Sequence, residues 1–536
     1  MKKYKLTKAP VKLDKNPGIK IGSSKNQQAK AASIQITVDG ALEDIRVSQS
    51  LEYNMSFLKE VFSSCCDIAF RGFPLGSCGR KCFAVYMNGM VNKEIVSRSI
   101  INPLISLQDY DCKDITENTG ETVKVLENVI LSVSDFSEVY LLKDAVKRIL
   151  DAYCILFIEG CEKAISISAG GLKTRSISEA KIESVLRGPQ EAFIEDVGTN
   201  VTMIRRRLKI SGLKTEKFEI GKQSRTNVIL AYVKGIADEG VIEEARRRLN
   251  SVNIDLILDS GQIQDFIEDD SLSPFPQMDV TERPDVCTAA LAEGRFVILV
   301  DGTPFAIIAP TTFPYLFTSA EDYYNRYYFV TMAKIMRYAA FFIALGAPSL
   351  YIAITTFHPE MLPPHLLLSV VTARANVPFP ALVEAFLLEL TFEIIREVAI
   401  RLPGSISQAL SIVGALVIGQ ISVQAGLVSP LMIIVVAVTG LSSFLIPKIN
   451  SARQISVMRF PMMVLASTSG IFGLIMGGLL LLVHLVSLRS FGVPYLSPIS
   501  PLQPKGLKET FIKLPSWALR NKPSYMESDR VKEVKK

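Results

Sequence analysis

The pattern of apolar and polar positions differs between the two parts of this 536-residue chain. Up to about residue 312, short β-branched and aromatic runs alternate with turns and with charged helical stretches, which predicts an α/β fold. Beyond that point, Phe341–Phe357 and Leu402–Pro447 contain no Asp, Glu, Lys, Arg or His. Uncharged apolar runs of about 18 or more residues are typical of helices that span a membrane. The pattern therefore predicts an α/β cytosolic region followed by an α-helical membrane domain of about four to five helices.

Two pairs of similar stretches indicate that the α/β region is duplicated. Phe83–Met90 and Val228–Ile236 are each a β-branched and aromatic run that is followed by a Gly turn and a helix start. Ile155–Gly160 and Val297–Gly302 each end in an acidic-Gly turn before a second apolar run, as in a β-hairpin. The pairs are offset by 146 and 142 residues. A shared offset predicts two tandem, similar α/β subdomains.

One of these hairpins lies in a stretch that is apolar enough to resemble a membrane segment. Phe296–Pro310 contains an Asp-Gly-Thr-Pro turn at its centre, and its repeat partner lies in a polar context. We therefore predict that it is a hairpin that closes the second subdomain. The predicted domains are a disordered basic arm at 1–40, α/β subdomains at 41–185 and 186–312, a helical membrane domain at 313–490, and a basic tail at 491–536.

Three consecutive arginines end a predicted helix at Thr199–Leu208. Acidic residues precede this helix and Arg205, Arg206 and Arg207 close it, an arrangement that fits the helix dipole. Two interpretations remain open. The triplet is either a solvated face or a docking surface for a partner or for lipid headgroups.

The membrane domain contains several predicted spans and one topological conflict. Basic residues between the last two predicted spans form a positive loop at 448–459. This loop and the basic tail after residue 488 lie on opposite sides of a single span, so the positive-inside rule alone does not fix the topology. The predicted spans are 329–357, 406–425, 430–446 and 461–488.

A further helix, predicted at about 381–402, places a row of charges inside this apolar region. On a helical wheel its charged residues share one side and its apolar residues the other. Charges at membrane depth are costly, and they face a bundle interior, a water-filled path or one another. The helix therefore lines an aqueous path in an oligomer, lies flat at the interface, or is a structural helix with internally paired charges. The charged residues are Glu389, Glu393, Arg396, Glu397 and Arg401, with Glu393/Arg396 and Glu397/Arg401 as the internal pairs.

No catalytic, cofactor or metal site stands out in the sequence. The three His residues all lie in the membrane half, so no His-based triad can form in the α/β region. Gly72–Lys81 lacks the spacing of a phosphate-binding loop, and Cys65, Cys66, Cys78 and Cys82 lack a standard zinc spacing. The net charge of +6 is small for this length, and no nucleic-acid motif is present. We predict a protein that is not an enzyme and binds no nucleic acid, cofactor or metal.

Five ordered segments resemble the spore germination GerA family, and the similarity covers about residues 45–490. The arginine triplet lies at the end of the first of these segments, just before Leu208, and the third segment overlaps the predicted hairpin of the second subdomain. A long, ordered match is more specific than any single motif. The segments are Gly188–Leu208, Thr281–Asp285, Gly294–Pro304, Arg374–Pro380 and Ala415–Gln420.

The resemblance implies the A subunit of a nutrient germinant receptor, or a related accessory member of the family. Such receptors sit in the spore inner membrane, with the N-terminal domain on the cytosolic (spore core) side. The A subunit works with a transporter-like B subunit and a lipoprotein C subunit. The family is proposed to form oligomers that act as ligand-gated ion channels.

A channel would give the charged helix a function. Rings of Glu389, Glu393 and Glu397 around an oligomer axis would attract cations. Two other hypotheses remain: a membrane scaffold or sensor subunit without a pore, and a secondary transporter, for which the spans are few and no inverted repeat is evident.

Overall fold

The computed structural model describes residues 44–76, 79–106, 136–171, 183, 185, 187–401 and 419–515, so the predicted basic arm at 1–40 lies outside the described residues. The first part is an antiparallel five-stranded sheet in the order β1-β2-β4-β5-β3. Its strands are β1 (Ile68–Leu75), β2 (Arg80–Met87), β3 (Phe136–Val139), β4 (Tyr153–Ile158) and β5 (Ala164–Ser168). Its helices are α1 (Leu51–Val61) and α2 (Leu142–Leu150). A continuous helical segment also follows β2; it consists of Lys93–Ile95, a π-helix at Val96–Ile101, and Asn102–Ile105.

The second part repeats the first. Its five strands are also antiparallel, and their order, β6-β7-β9-β10-β8, is the order of the first sheet. Identical strand order in consecutive sheets is what a duplicated α/β unit requires. The strands are β6 (Leu213–Ile220), β7 (Thr226–Val233), β8 (Asp279–Thr281), β9 (Phe296–Val300) and β10 (Ala306–Ala309), and the helices are α3 (Val197–Arg207), α4 (Glu239–Ser251), α5 (Ser260–Ile267) and α6 (Pro284–Glu293).

Alternation along the central strand β7 distributes its side chains between two apolar layers. Ile229, Ala231 and Val233 pack with α3 and α6, whereas Val228 and Leu230 pack with α4 and α5 on the opposite face. A strand that is buried on both faces reads as one continuous apolar run. The predicted hairpin at 296–310 is confirmed by the antiparallel pairing of β9 with β10, and both strands are buried within this unit.

The second half of the chain is helical. Two short 3-10 turns, Phe313–Phe317 and Ala320–Tyr323, connect it to the α/β units. Among the described helices, Tyr327–Phe357 and Ser451–Ser487 are long and apolar enough to cross a membrane. The predicted span at 406–425 is described only from residue 419. The helices are α7 (Tyr327–Phe357), α8 (Pro364–Arg374), α9 (Ala381–Arg401), α10 (Gly419–Gln424), α11 (Pro430–Phe444) and α12 (Ile449–Ser487).

Helix α12 is two antiparallel arms that meet at Gly470. This residue has φ 61° and ψ −140°, which is outside the helical region and accessible chiefly to glycine. A Cβ built on Gly477 would lie 2.7 Å from the Sδ of Met462. Fifteen residues of straight helix would separate these positions by about 22 Å. The chain therefore reverses at Gly470, and the arms, residues 449–469 and 471–487, lie side by side.

This hairpin corrects the prediction of a basic loop at 448–459 and of a single final span. Residues 449–459 are helical and form the beginning of the first arm. Both ends of α12 contact the second α/β unit: Lys448 reaches Asp279, and Ser490 donates to the carbonyl of Gln277. The two basic regions lie on the same side of the helical half, so the topological conflict disappears.

The chain after α12 is folded onto the second α/β unit, although the sequence predicted a basic tail from residue 491. Strands β11 (Arg489–Ser490) and β12 (Val493–Pro494) form a small ribbon, and α13 (Pro504–Phe511) follows. Phe491 packs edge-on against Phe296 of β9, and the hydroxyl of Tyr495 donates to the carbonyl of Pro276. This segment therefore fastens the end of the second arm to the α/β region.

Candidate functional site in the helical half

The charged side of α9 faces the inside of the helical half, and its apolar side is exposed. Glu389 is fully buried, and Glu393 and Arg396 are partly buried. This arrangement is the reverse of a helix on a soluble protein, because lipid accepts apolar side chains and excludes charged ones. The exposed apolar residues are Phe386, Leu387, Leu390, Ile394 and Val398.

Arg459, on the first arm of α12, connects three helices at the centre of this region. Its Nη1 pairs with the carboxylate of Glu389 on α9, and both side chains are 1% exposed. Its Nε donates to the carbonyl of Ala344 on α7 at 2.6 Å. Pro348, four residues after Ala344, has no N–H for that carbonyl. The proline therefore frees the acceptor that Arg459 uses.

Four further charged residues of α9 form two ion pairs along the helix. Arg396 pairs with Glu393 and donates from Nη1 to the hydroxyl of Ser456 on α12 at 3.1 Å. Arg401 pairs with Glu397 at 2.5 Å, and both of these side chains are exposed. The pairs Glu393/Arg396 and Glu397/Arg401 are those of the structural alternative, and their presence is confirmed.

The prediction that Glu389 lines a pore concerns an assembly of several copies, whereas within one protomer this residue is buried. Its carboxylate is buried against Arg459, on the side of α9 that faces α7 and α12. Glu393 and Arg396 point the same way and contact each other. Of these five charged residues only Glu397 and Arg401 are exposed in one protomer. Lining a path between subunits stays a prediction for all five.

Several buried polar atoms near Arg459 have no partner among the described residues. They include one carboxylate oxygen of Glu389, one of Glu393, and the Nη2 of Arg459. A buried polar atom without a hydrogen bond costs about 1–3 kcal/mol. Within the described part of the helical half, these three charged groups therefore have hydrogen bonds to only some of their polar atoms.

Lys448 attaches the start of α12 to the second α/β unit. Its ammonium lies 3.0 Å from Asp279 Oδ2 and 3.1 Å from Glu183 Oε1. Burial alone would lower the pKa of Lys448, but the two carboxylates outweigh burial and raise it above the ordinary value. The ammonium therefore stays charged, and it provides a buried ionic contact between the two halves of the chain.

The arginine triplet does not form a single surface. Arg205 is 1% exposed and pairs with Asp67 of the first unit, so the docking interpretation fails for this residue. Arg207 is partly exposed and pairs with Glu191 at 2.6 Å. Arg206 is also partly exposed, and docking stays a prediction for Arg206 and Arg207.

A polar cleft of about 720 Å³ lies beside the Arg205–Asp67 pair, between the two α/β units. The first unit contributes Asn88 and Lys93, and the second contributes Asp196 and Lys217. Asp196 caps the N-terminus of α3, where its carboxylate accepts from the N–H of Thr199 at 2.7 Å. Acidic and basic residues of both units therefore line this cleft.

The cysteine cluster contributes no metal centre to the part of the chain that the structure describes. Cys65, Cys66 and Cys82 are not disulfide-bonded there, and Cys78 lies outside the described residues. No group of three or more His, Cys, Asp or Glu among the described residues is placed to hold a metal ion.

Sequence reasoning missed Arg459, Lys448 and Pro348. The sequence pattern placed the two cations in a positive loop between two predicted spans. One signal was present: Lys448 and Arg459 are eleven residues apart, about three helical turns, so a helix would place them on the same side.

Comparisons with known proteins agree on one family. A sequence model of the Bacillus/Clostridium GerA spore germination protein matches residues 56–525. The chain is 41% identical over 483 residues to the uncharacterized membrane protein YfkQ of Bacillus subtilis (strain 168), covering 90% of this chain and 92% of YfkQ. It is also 41% identical over 493 residues to the spore germination protein KA of the same organism, covering 92% and 89% of the two chains.

One solved structure is similar to about half of this chain. It is the crystal structure of the N-terminal domain of the A subunit of the Bacillus megaterium spore germinant receptor GerK3. The identity is 30%, the TM-score is 0.41, and the match covers 51% of this chain and 99% of that domain.

Proposed function

This chain belongs to the GerA family of Bacillus/Clostridium spore germination proteins, and we propose that it is the A subunit of a nutrient germinant receptor. In this proposal it sits in the spore inner membrane with its α/β units on the core side. It associates there with a transporter-like B subunit and a lipoprotein C subunit. Copies of the chain form a cation channel that opens when the receptor detects a nutrient and releases ions from the spore core.

The observation that carries this proposal is the charged interior of the helical half in a chain of this family. Ionised side chains at membrane depth are costly and are kept where ions or water pass, or where charges switch partners. In this proposal Glu389, Glu393, Arg396 and Arg459 lie at membrane depth, where they contact one another or helix α12. The reversal at Gly470 also supports a multi-pass topology, because it returns the chain to the side of the α/β units.

The test is ion flux through liposomes that contain the purified protein, with and without the B and C subunits. Nutrient-dependent cation flux in the complete complex supports the channel. Neutralising Glu397 and Arg401 together should reduce this flux if the exposed pair lines the path. Unchanged flux would show that Glu397 and Arg401 do not line the path, and it would not contradict the channel.

A second candidate is a membrane scaffold or sensor subunit that does not conduct. The ion pairs of α9 form within one protomer, which favours this second candidate. Glu389, for example, pairs with Arg459 of the same chain and needs no second copy. The high similarity to YfkQ, a membrane protein of no stated germination role, is compatible with an accessory member of the family. Correctly inserted complex that shows no flux under any condition would favour this candidate.

A further inference from the structure

Arg459 and Glu389 form a buried ion pair, and substituting either residue leaves the charge of the other uncompensated. The two charges neutralise each other in a buried position, and Arg459 is held further by the carbonyl of Ala344. Removing one partner of a buried ion pair is strongly unfavourable because it leaves the other charge uncompensated. Replacing both partners by apolar residues is often neutral. The buried position of the Glu389 carboxylate therefore depends on Arg459.

We propose that Arg459 is a lock that keeps the acidic side of α9 turned into the protomer in the closed state, and that opening requires Glu389 to leave Arg459. This inference rests on the proposed channel function and adds its regulation. When the pair separates, α9 turns about its axis and carries Glu389 and Glu393 towards the face that now exposes Leu390 and Ile394. Between neighbouring copies, that face borders the path for cations.

Two features of the closed arrangement make such a change accessible. One oxygen of Glu389, one of Glu393 and the Nη2 of Arg459 lack partners among the described residues. These atoms gain hydrogen bonds if α9 turns and water reaches them, which offsets the lost pair. The net contribution of a buried ion pair to stability is small. A modest free energy, such as that of nutrient binding to the receptor, can therefore shift the equilibrium between the paired and the separated arrangement of Glu389 and Arg459.

Lys448 connects the α/β region to the helix that carries Arg459, so a movement of the α/β region can reach the Arg459–Glu389 pair. It lies at the start of the first arm of α12, and Arg459 lies eleven residues further along the same arm. Asp279 and Glu183 of the α/β region hold Lys448 at 3.0 and 3.1 Å. A shift of the α/β region therefore moves the first arm, and with it the side chain that holds Glu389.

The test compares ion flux in liposomes containing the complete receptor complex. Arg459→Met leaves Glu389 buried without a cation, so we expect flux without nutrient that exceeds wild type by about tenfold or more. The double variant Glu389→Met/Arg459→Met removes the uncompensated charge and should return this flux to the wild-type level. A loss of packing alone predicts the opposite, with the double variant at least as leaky as the single one.

Arg453→Met is the matched control, because Arg453 is an exposed cation on the same arm. It should keep wild-type behaviour. If Arg459→Met does not insert, Arg459→Lys replaces it: a single ammonium cannot serve both Ala344 and Glu389, so a smaller nutrient-independent flux is expected. If the wild-type complex conducts with nutrient but the Arg459 variants do not conduct without nutrient, the lock is overturned and the channel is not. Wild type that never conducts overturns the channel itself.

Discussion

Arg205 of the second α/β unit and Asp67 of the first unit form a buried, two-pronged ion pair. The Nε and Nη2 of Arg205 lie 2.9 and 3.0 Å from the two carboxylate oxygens. Thr215 donates to the same carboxylate at 2.8 Å, and the N–H of Cys66 donates to the carbonyl of Thr215 at 2.9 Å. The pair therefore fixes the two units against each other at the edge of the polar cleft.

Arg205→Met should lower the free energy of unfolding by about 3–5 kcal/mol, because Asp67 would remain buried without its cation. Arg207→Met is the control. Its partner Glu191 is 36% exposed, and such pairs contribute about 0–1 kcal/mol. The measurement is chemical denaturation of the purified chain in detergent, followed by a probe of the α/β region. Equal losses in the two variants would show that burial of the Arg205 pair has no energetic consequence.

Glu216 predicts a pH dependence of stability in the second unit. Its carboxylate accepts from Arg246 at 2.7 and 2.8 Å and from the hydroxyl of Tyr232 at 2.7 Å. Burial raises the pKa of Glu216, but these hydrogen bonds outweigh burial and hold it below the ordinary value. A lowered carboxyl pKa stabilises the fold above the unfolded value of about 4.3, and this contribution is lost as the pH falls through the folded value.

Denaturation of wild type and Glu216→Gln at several pH values measures this contribution. The stability difference between them should be largest near neutral pH and should shrink as the pH falls below about 4.3. Glu219→Gln is the control, because Glu219 is exposed and lies 3.9 Å from Arg225. A difference for Glu216→Gln that is independent of pH contradicts the prediction.

Tyr495 anchors the segment after α12, and its loss should weaken the contact with the α/β region. The side chain is completely buried, and its hydroxyl donates to the carbonyl of Pro276 at 2.9 Å. Tyr495→Ala should cost about 3–5 kcal/mol, as for other buried aromatic residues, and Tyr495→Phe about 1 kcal/mol. Leu502→Ala, at a position that is 68% exposed, should have little effect. Thermal unfolding in detergent ranks the three variants, and a different order would argue against the anchor.

Gly470 should tolerate no side chain, because the reversal of α12 depends on it. A Cβ there would lie 2.9 Å from Phe357 Cβ and 3.0 Å from His358 Nε2, and φ is positive. Gly470→Ala should therefore cost about 1–3 kcal/mol or more. Gly478→Ala is the control, because its Cβ would meet nothing within 4 Å. Unfolding midpoints in detergent compare the two, and equal values would contradict the reversal.

The hairpin also predicts which positions share a side of the membrane. Single cysteines at Arg453 and Arg489 should react with an impermeant thiol reagent from the same side. A cysteine at Ser469, beside the turn, should react from the opposite side together with one at Glu360. Labelling of intact and inverted vesicles made from a background that lacks other reactive thiols measures this. Labelling of positions 453 and 489 from opposite sides would restore the single-span topology.

The sequence by itself determined the division into α/β and helical halves, the duplicated unit and the charged helix. Each depends on a local pattern: the spacing of apolar residues, the acidic-Gly turn of a hairpin, or charges three and four residues apart. Phe296–Pro310 illustrates this, because its central turn separated a buried hairpin from a membrane segment. The pairs Glu393/Arg396 and Glu397/Arg401 were likewise visible, since helical spacing alone brings them together.

The tertiary structure alone decided which way the charged side of α9 faces and what it contacts. A helical wheel shows that Glu389 and Glu393 share a side, but it does not show what lies opposite that side. The partner, Arg459, is seventy residues away in sequence, and its second contact exists because Pro348 frees the carbonyl of Ala344. Likewise, composition made residues 461–488 one long span, whereas the backbone angles of Gly470 divide α12 into two arms. Such features depend on single backbone conformations and distant pairings, which no local pattern encodes.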